Sequence, residues 1–290
     1  MSKLRTRRHN VVLNRSAGGD FWITLFLIIL GVLMFLPLYY TVIQSFKPLD
    51  ELFYFPPKFY VINPTWDNFA DLFKLMSDSW VPFSRYIFNT VFITAAGTFG
   101  NLILSCLCAY ALAKIPFPGH KFFFNIIQKS LMISATIGSV INFIIIAKLG
   151  WMDSLTAIIV PAWGSTLGLY LMKQFMDTNV NASVLESARL DGASEFRTFI
   201  SIAMPMVKPA WLTVIIYSFQ GLWNSGASAY IHSEELKTLN YAMTQVLTAG
   251  ISRSGAASAS GVIMMIVPII VFVISQSKII ETMGSSGMKD

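Results

Sequence analysis

Charge is what this chain has least of. Asp, Glu, Lys and Arg make up 12% of its 290 residues, where soluble domains carry about 25%. Mean hydropathy is +0.60. A soluble domain is thereby excluded, and a chain embedded in lipid is expected. Cysteine is also scarce. Cys106 and Cys108 stand two apart in an apolar run, so a helix turns them to different sides, and neither a disulfide nor a metal site is expected. His9, His120 and His232 fall in separate polar segments and form no cluster. No Gly-x-x-x-x-Gly-Lys-Ser/Thr loop occurs, so the chain does not hold ATP by that means. No Asp or Glu lies deep in an apolar run, whereas proton-coupled transporters carry buried acids or histidines as relays. No nucleophile stands beside a base. An enzyme or a proton symporter is the weaker class.

Long apolar runs are what the chain has instead. Six are expected to cross a bilayer, near residues 21–46, 86–113, 122–147, 154–172, 210–230 and 259–277, each close to or above the ~20 residues a spanning helix needs. The first follows a basic start but exceeds the roughly 7–15 residues of a secretory signal core, so it is read as retained. Residues 1–20 then form a basic cytosolic tail, 21–277 the six-span domain and 278–290 a cytosolic C-terminal tail. Basic residues support this arrangement. Arg5, Arg7, Arg8, Lys114, Lys121, Lys173, Arg189, Arg197 and Lys208 fall on the side assigned to the cytosol, as the positive-inside rule requires. The net charge of +6 is explained by this topology, and nucleic acid need not be invoked.

Between the fourth and fifth runs lies the one polar helical segment, within residues 173–208. Ser183 and Glu186 stand at capping-box spacing, which predicts a helix capped by Ser183. Gly192 follows Asp191 where a left-handed stop is expected. A second helix is expected over 194–204, running into Pro205. Two short helices joined at a glycine result.

Glu186-Ser187-Ala188, three residues, Gly192, nine residues and Ile202-Ala203-Met204-Pro205 resemble the EAA motif of ABC importer permeases. Ser187 and Met204 depart from the family's Ala and Leu, and the spacing is kept throughout. Pro64-Thr65-Trp66-Asp67-Asn68-Phe69 resembles a Pro-Thr-x-x-Asn-Tyr stretch of sugar permeases, and Phe219 to Asn224 their Phe-x-x-x-Trp-Asn signature. The loop 114–121 resembles their Phe-x-Gly-Arg-Lys turn, with His120 in the arginine position. Residues 234–245 and 280–290 look like the branch handling oligosaccharides and polysaccharide fragments.

The resemblance implies an all-α integral membrane protein with the type I importer permease fold. It further implies a homologous second permease, two cytosolic ATPase subunits holding ATP and Mg, an extracytoplasmic sugar-binding protein and a place in the bacterial inner membrane. Ser183, Glu186, Ser187, Ala188, Arg189, Asp191, Gly192 and Ala193 would form the ATPase-coupling corner. Trp223, Asn224, Asn142 and Tyr230 are candidates for the solute path, because amides beside aromatic faces suit a neutral, hydroxyl-rich solute. The same residue types also serve interhelical hydrogen bonds. A secondary transporter working without an ATPase, or a scaffold with no pathway, remains the alternative.

Overall fold

The computed structural model describes residues 17–77, 80–226, 229–248, 250 and 253–286. Most of the basic tail, residues 1–16, and the last four residues lie outside them, as do Lys3 to Arg15 and His9. Every regular element among the described residues is helical, as a chain that must satisfy its own backbone in lipid requires.

Helix α1, Ala17–Phe46, has 30 residues and is about 45 Å long. Most of its side chains, Phe26 and Met34 among them, are exposed, which suits a lipid-facing helix. Only its last turns pack inward, against α14 (Ser254–Ser286). Short α2 (Leu49–Leu52) and α3 (Asp67–Ser77) follow. The buried Asn68 amide donates to the carbonyls of Ser45 at 2.9 Å and Lys47 at 2.7 Å. These are the orphan acceptors at the end of α1. Gly255 of α14 lies so close that a Cβ there would fall 2.0 Å from Asn68 Oδ1. Phe46, Trp66 and Phe69 pack their rings around the same point. The Pro-Thr-x-x-Asn stretch therefore clasps α1, α3 and α14 together.

Helix α4, Phe83–Lys114, is the central element. It runs past three successive cores. Tyr86 joins one with Leu72, Met76, Trp223, Met243 and Ala259; Ile93 joins one with Ile158, Ile159, Leu222 and Ile231; Cys106 and Tyr110 join one with Met172, Met176, Leu185 and Phe199. Cys106 is buried and Cys108 exposed, on different sides as their spacing predicts. Gly97 and Gly100 let neighbours approach closely. A Cβ would lie 2.5 Å from Leu222 Cδ1 at the first and 2.1 Å from Trp163 Nε1 at the second, and that indole donates to the Ala96 carbonyl at 3.0 Å.

The remaining α-helices are α5 (His120–Ser130), α6 (Ala135–Lys148), α7 (Thr156–Trp163), α8 (Thr166–Asn179), α9 (Ala182–Leu190), α10 (Glu195–Thr198), α11 (Met204–Met206), α12 (Lys208–Trp223) and α13 (Leu239–Thr248), with a π-turn at Phe199–Ala203 and a 3-10 turn at Glu234–Leu236. Three helices, over Gly18–Phe46, Phe83–Lys114 and Ser254–Gln276, are long and apolar enough to span a bilayer, and two bent pairs raise the count to five among the described residues.

Several expected spans are therefore corrected. The run 122–147 is not one straight helix: α5 and α6 meet at 109°. Ser130 Oγ donates to the Ile127 carbonyl, a side-chain bond that competes with the helical ladder, and Ser134 is extended. The run 154–172 divides into α7 and α8 around Gly164 and Ser165, whose hydroxyl accepts from Gly168 N–H at 3.3 Å and caps α8. The run 210–230 ends as helix at Trp223, so Tyr230 lies in the following loop.

Candidate coupling corner and solute path

The chain leaves α8 at Val180, which is fully buried, and enters α9 at once. Ser183 is the second residue of that helix, not its cap. Asn181 occupies the cap position and makes no side-chain cap bond. The burial of Val180 fixes where the helix starts, which moves the start two residues ahead of the capping-box position. Ser183 instead offers its carbonyl to Ser187 Oγ at 3.0 Å.

The end of α9 follows from glycine chemistry. Gly192 has φ +80°, a region costly to any residue with a Cβ. Gly192 N–H donates to the Arg189 carbonyl and Ala193 N–H to the Ala188 carbonyl, both at 3.0 Å, a complete Schellman closure across Asp191. Ser194 then caps α10 by accepting from Arg197 N–H at 3.3 Å. The expected second helix is not uniform. A π-turn occupies Phe199–Ala203, just before Pro205, whose ring lacks an N–H and crowds the carbonyl four residues back. The segment ends at Val207, and α12 leaves at 83°.

Leu185 and Ala188 turn inward, while Glu186, Ser187, Arg189, Asp191 and Gly192 are exposed. So are apolar side chains: Leu190 is 90% exposed and Phe196 65%. Arg189 binds Glu195 through Nε to Oε1 at 2.6 Å and Nη2 to Oε2 at 3.3 Å. The guanidinium holds the Glu195 carboxyl below its ordinary value, and Glu195 in turn raises Arg189. Tyr110 of α4 donates its hydroxyl to Glu195 Oε2 at 3.1 Å. Glu195 and Tyr110 had no signal in the sequence, because 85 residues separate them.

The four solute-path candidates make separate local contacts. Trp223 is buried, donates Nε1 to the Met264 carbonyl at 3.1 Å and stacks on Phe219; it joins α12 to α14 in packing. Asn224 terminates α12, bonding the Gln220 carbonyl at 2.9 Å and accepting from Asn240. Tyr230 stacks on Phe143, the neighbour of Asn142, at 6.3 Å. Its carbonyl accepts from the N–H of Asp153 at 2.8 Å. Asp153 also accepts from the backbone N–H of His232 and Ser233 and from the Ser233 hydroxyl. That hydroxyl first, then the two N–H groups, hold its carboxyl at about 2. A cavity of about 310 Å³ lies elsewhere, between α4, α8 and α12, lined in part by Asn101, Ser165, Tyr217, Ser218 and Gly221. Neutral amide and hydroxyl groups supply its polar lining.

Protein LplC of Bacillus subtilis (strain 168) is 30% identical to this chain over 242 residues, covering 80% of this chain and 78% of that protein. The chain belongs to the carbohydrate ABC importer permease family. The permease is also 27% identical over 262 residues to the arabinooligosaccharides transport system permease protein AraQ of Halalkalibacterium halodurans, covering 87% of this chain and 90% of that one. The sn-glycerol-3-phosphate transport system permease protein UgpE of Yersinia enterocolitica is 29% identical over 200 residues, covering 68% and 71%. No family model matches the permease. Its fold is that of a chain in the crystal structure of a bacterial ABC transporter involved in import of the acidic polysaccharide alginate. The TM-score is 0.76 at 21% identity, over 91% of the permease and 98% of that chain.

Proposed function

We propose that the permease is one transmembrane subunit of an ATP-driven oligosaccharide importer, and that the corner at 182–206 couples it to a cytosolic ATPase. The observation that carries this reading is the corner itself. Its backbone is closed by its own hydrogen bonds, yet Leu190 and Phe196 stand exposed on it beside Glu186 and Asp191. An exposed apolar pair rimmed by charge is the profile of a docking surface.

In this proposal six segments cross the membrane, with α5–α6 and α7–α8 as broken spans. Both tails, 1–20 and 278–290, lie in the cytosol, and the membrane is the bacterial inner membrane. A homologous second permease, two ATPase subunits holding ATP and Mg, and an extracytoplasmic sugar-binding protein complete the assembly. Closure of the ATPase pair would move the two corners and tilt the bundles between inward and outward access. ATP and the loaded binding protein both favour the outward state, a two-state scheme biased from both sides. No charged side chain among the described residues lines the cavity at Asn101, Tyr217 and Ser218, which suits a neutral solute, and Asn224, Asn142 and Tyr230 remain candidates nearer the outer loops.

The test is copurification. The tagged chain, extracted in detergent, should bring down a homologous permease and a subunit that hydrolyses ATP. Gradient-driven uptake by the purified chain alone would overturn the proposal.

A further inference from the structure

We propose that Glu195 and Tyr110 are positioning residues that tie the coupling corner to α4, so that corner and helix move as one body; this rests on the ATPase-coupling role given above. Glu195 is the first residue of α10 and Arg189 lies in the last turn of α9. Each charge sits at the helix end whose dipole favours it. Their paired bonds hold the two short helices across the glycine turn, in the side-by-side geometry that makes Arg–carboxylate contacts directional.

The second carboxylate oxygen reaches out of the loop altogether, to the Tyr110 hydroxyl. Tyr110 is buried one turn from the end of α4, with its ring on Phe199 at 5.2 Å. The corner is thus attached to α4 at two points, one apolar and one polar. Covalently, by contrast, it is joined to α12 only through the bend at Val207. Force applied to the exposed corner can therefore pass to α8 through Val180, to α12 through Val207, or to α4 through Phe199 and the Tyr110–Glu195 bond.

The same helix is held in the same manner at its other end. Tyr86 donates to Glu234 Oε1 at 2.7 Å, and Asn89 Nδ2 to the carbonyls of Glu235 and Lys237. One continuous helix of 32 residues connects the two attachments. A rigid helix gripped at both ends is one physical route by which the two ends can be coupled.

The experiment uses the full complex copurified with its ATPase, with exposed Cys108 replaced by serine. Spin labels are placed at Val184→Cys on α9 and Lys114→Cys on α4, and distances are read without nucleotide and after trapping with ATP and vanadate. The expected result is one narrow distance, unchanged by trapping. In Tyr110→Phe, which keeps the ring packing, and in Glu195→Ala, which leaves no acceptor, the narrow distance is lost on trapping. The exchanged pair Arg189→Glu with Glu195→Arg keeps the ion pair but leaves the Tyr110 hydroxyl no acceptor at position 195, so the distance stays broad on trapping; a narrow distance there would show that the ion pair alone holds the corner. A distance that shifts on trapping in the unmutated complex overturns the inference, as does identical behaviour in Tyr110→Phe. If no ATPase copurifies with the unmutated chain, the coupling role itself fails first.

Discussion

The clasp at Asn68 and the corner at Gly192 are both short polar stretches ending apolar helices, and they are built in opposite senses. At the clasp the polar groups face inward. Asn68 and Lys47 are buried, and the Lys47 ammonium donates to the Lys58 carbonyl at 2.5 Å. Glu51, also buried, accepts from the N–H groups of Ile62 at 3.0 Å and Asn63 at 2.8 Å, which, with Ile62 first, lower its carboxyl pKa. At the corner the polar groups face outward, and Leu190 and Phe196 go out with them. One region satisfies itself. The other satisfies its backbone and pairs Arg189 with Glu195, but leaves apolar side chains for something else to cover.

The difference should be sharpest in how each region fails. Asn68→Ala strands two buried carbonyls, each costing ~1–3 kcal/mol, so the level of folded chain in the membrane and its thermal midpoint in detergent should both drop sharply. An unchanged midpoint would mean the clasp is decorative. Gly192→Val should behave otherwise. A Cβ at Gly192 meets nothing within 4 Å, so the only cost is backbone strain at positive φ, ~1–3 kcal/mol. Membrane level should hold while ATPase retention falls. Gly192→Asn, which tolerates the left-handed region, should retain the ATPase better than valine. Equal retention by both variants would refute the backbone argument.

A smaller effect is expected from Leu190→Ser. The side chain is 90% exposed, so stability should not change, while ATPase retention should weaken by up to ~2 kcal/mol of lost apolar burial. A stability loss instead would place Leu190 inside its own bundle. The smallest effect concerns Asp153. Its carboxyl sits at about 2 against an ordinary 3.8, so the stabilisation is complete above the ordinary value and is lost as pH falls through the folded one. Thermal midpoints measured from pH 5 down to pH 2 should fall more for the unmutated chain than for Asp153→Asn. Parallel curves would remove Asp153 from the account.

The corner was legible in the sequence because its features are local. Gly192 turns the chain with its own φ, and the spacing from Glu186 to Pro205 records that geometry residue by residue. Ser183 misled because a capping box is a local signal and Val180, buried among distant residues, overrode it. The breaks at 131–134 and 164–165 were hidden for a different reason. Inside lipid a helix needs no polar face, so a bend leaves no change in hydrophobic period to read. Pro161 and Gly164 were visible, but a continuous apolar run outweighed them. Trp223 was legible as a signature and not as a contact, since the Met264 carbonyl that receives its N–H is 41 residues away. The resemblance at Asn68 carried no hint of its bonds to Ser45 and Lys47 either. In these two cases what escaped was a partner far along the chain.

Gly97 and Gly100 leave less than the width of a methyl group between α4 and the side chains of Leu222 and Trp163. Surfaces that fit this closely behave like a key in a lock: they can turn together, but neither slides past the other without first being withdrawn. The middle of the bundle is therefore closely fitted around α4, whereas the chain turns sharply at Val207 and between α5 and α6, away from those contacts.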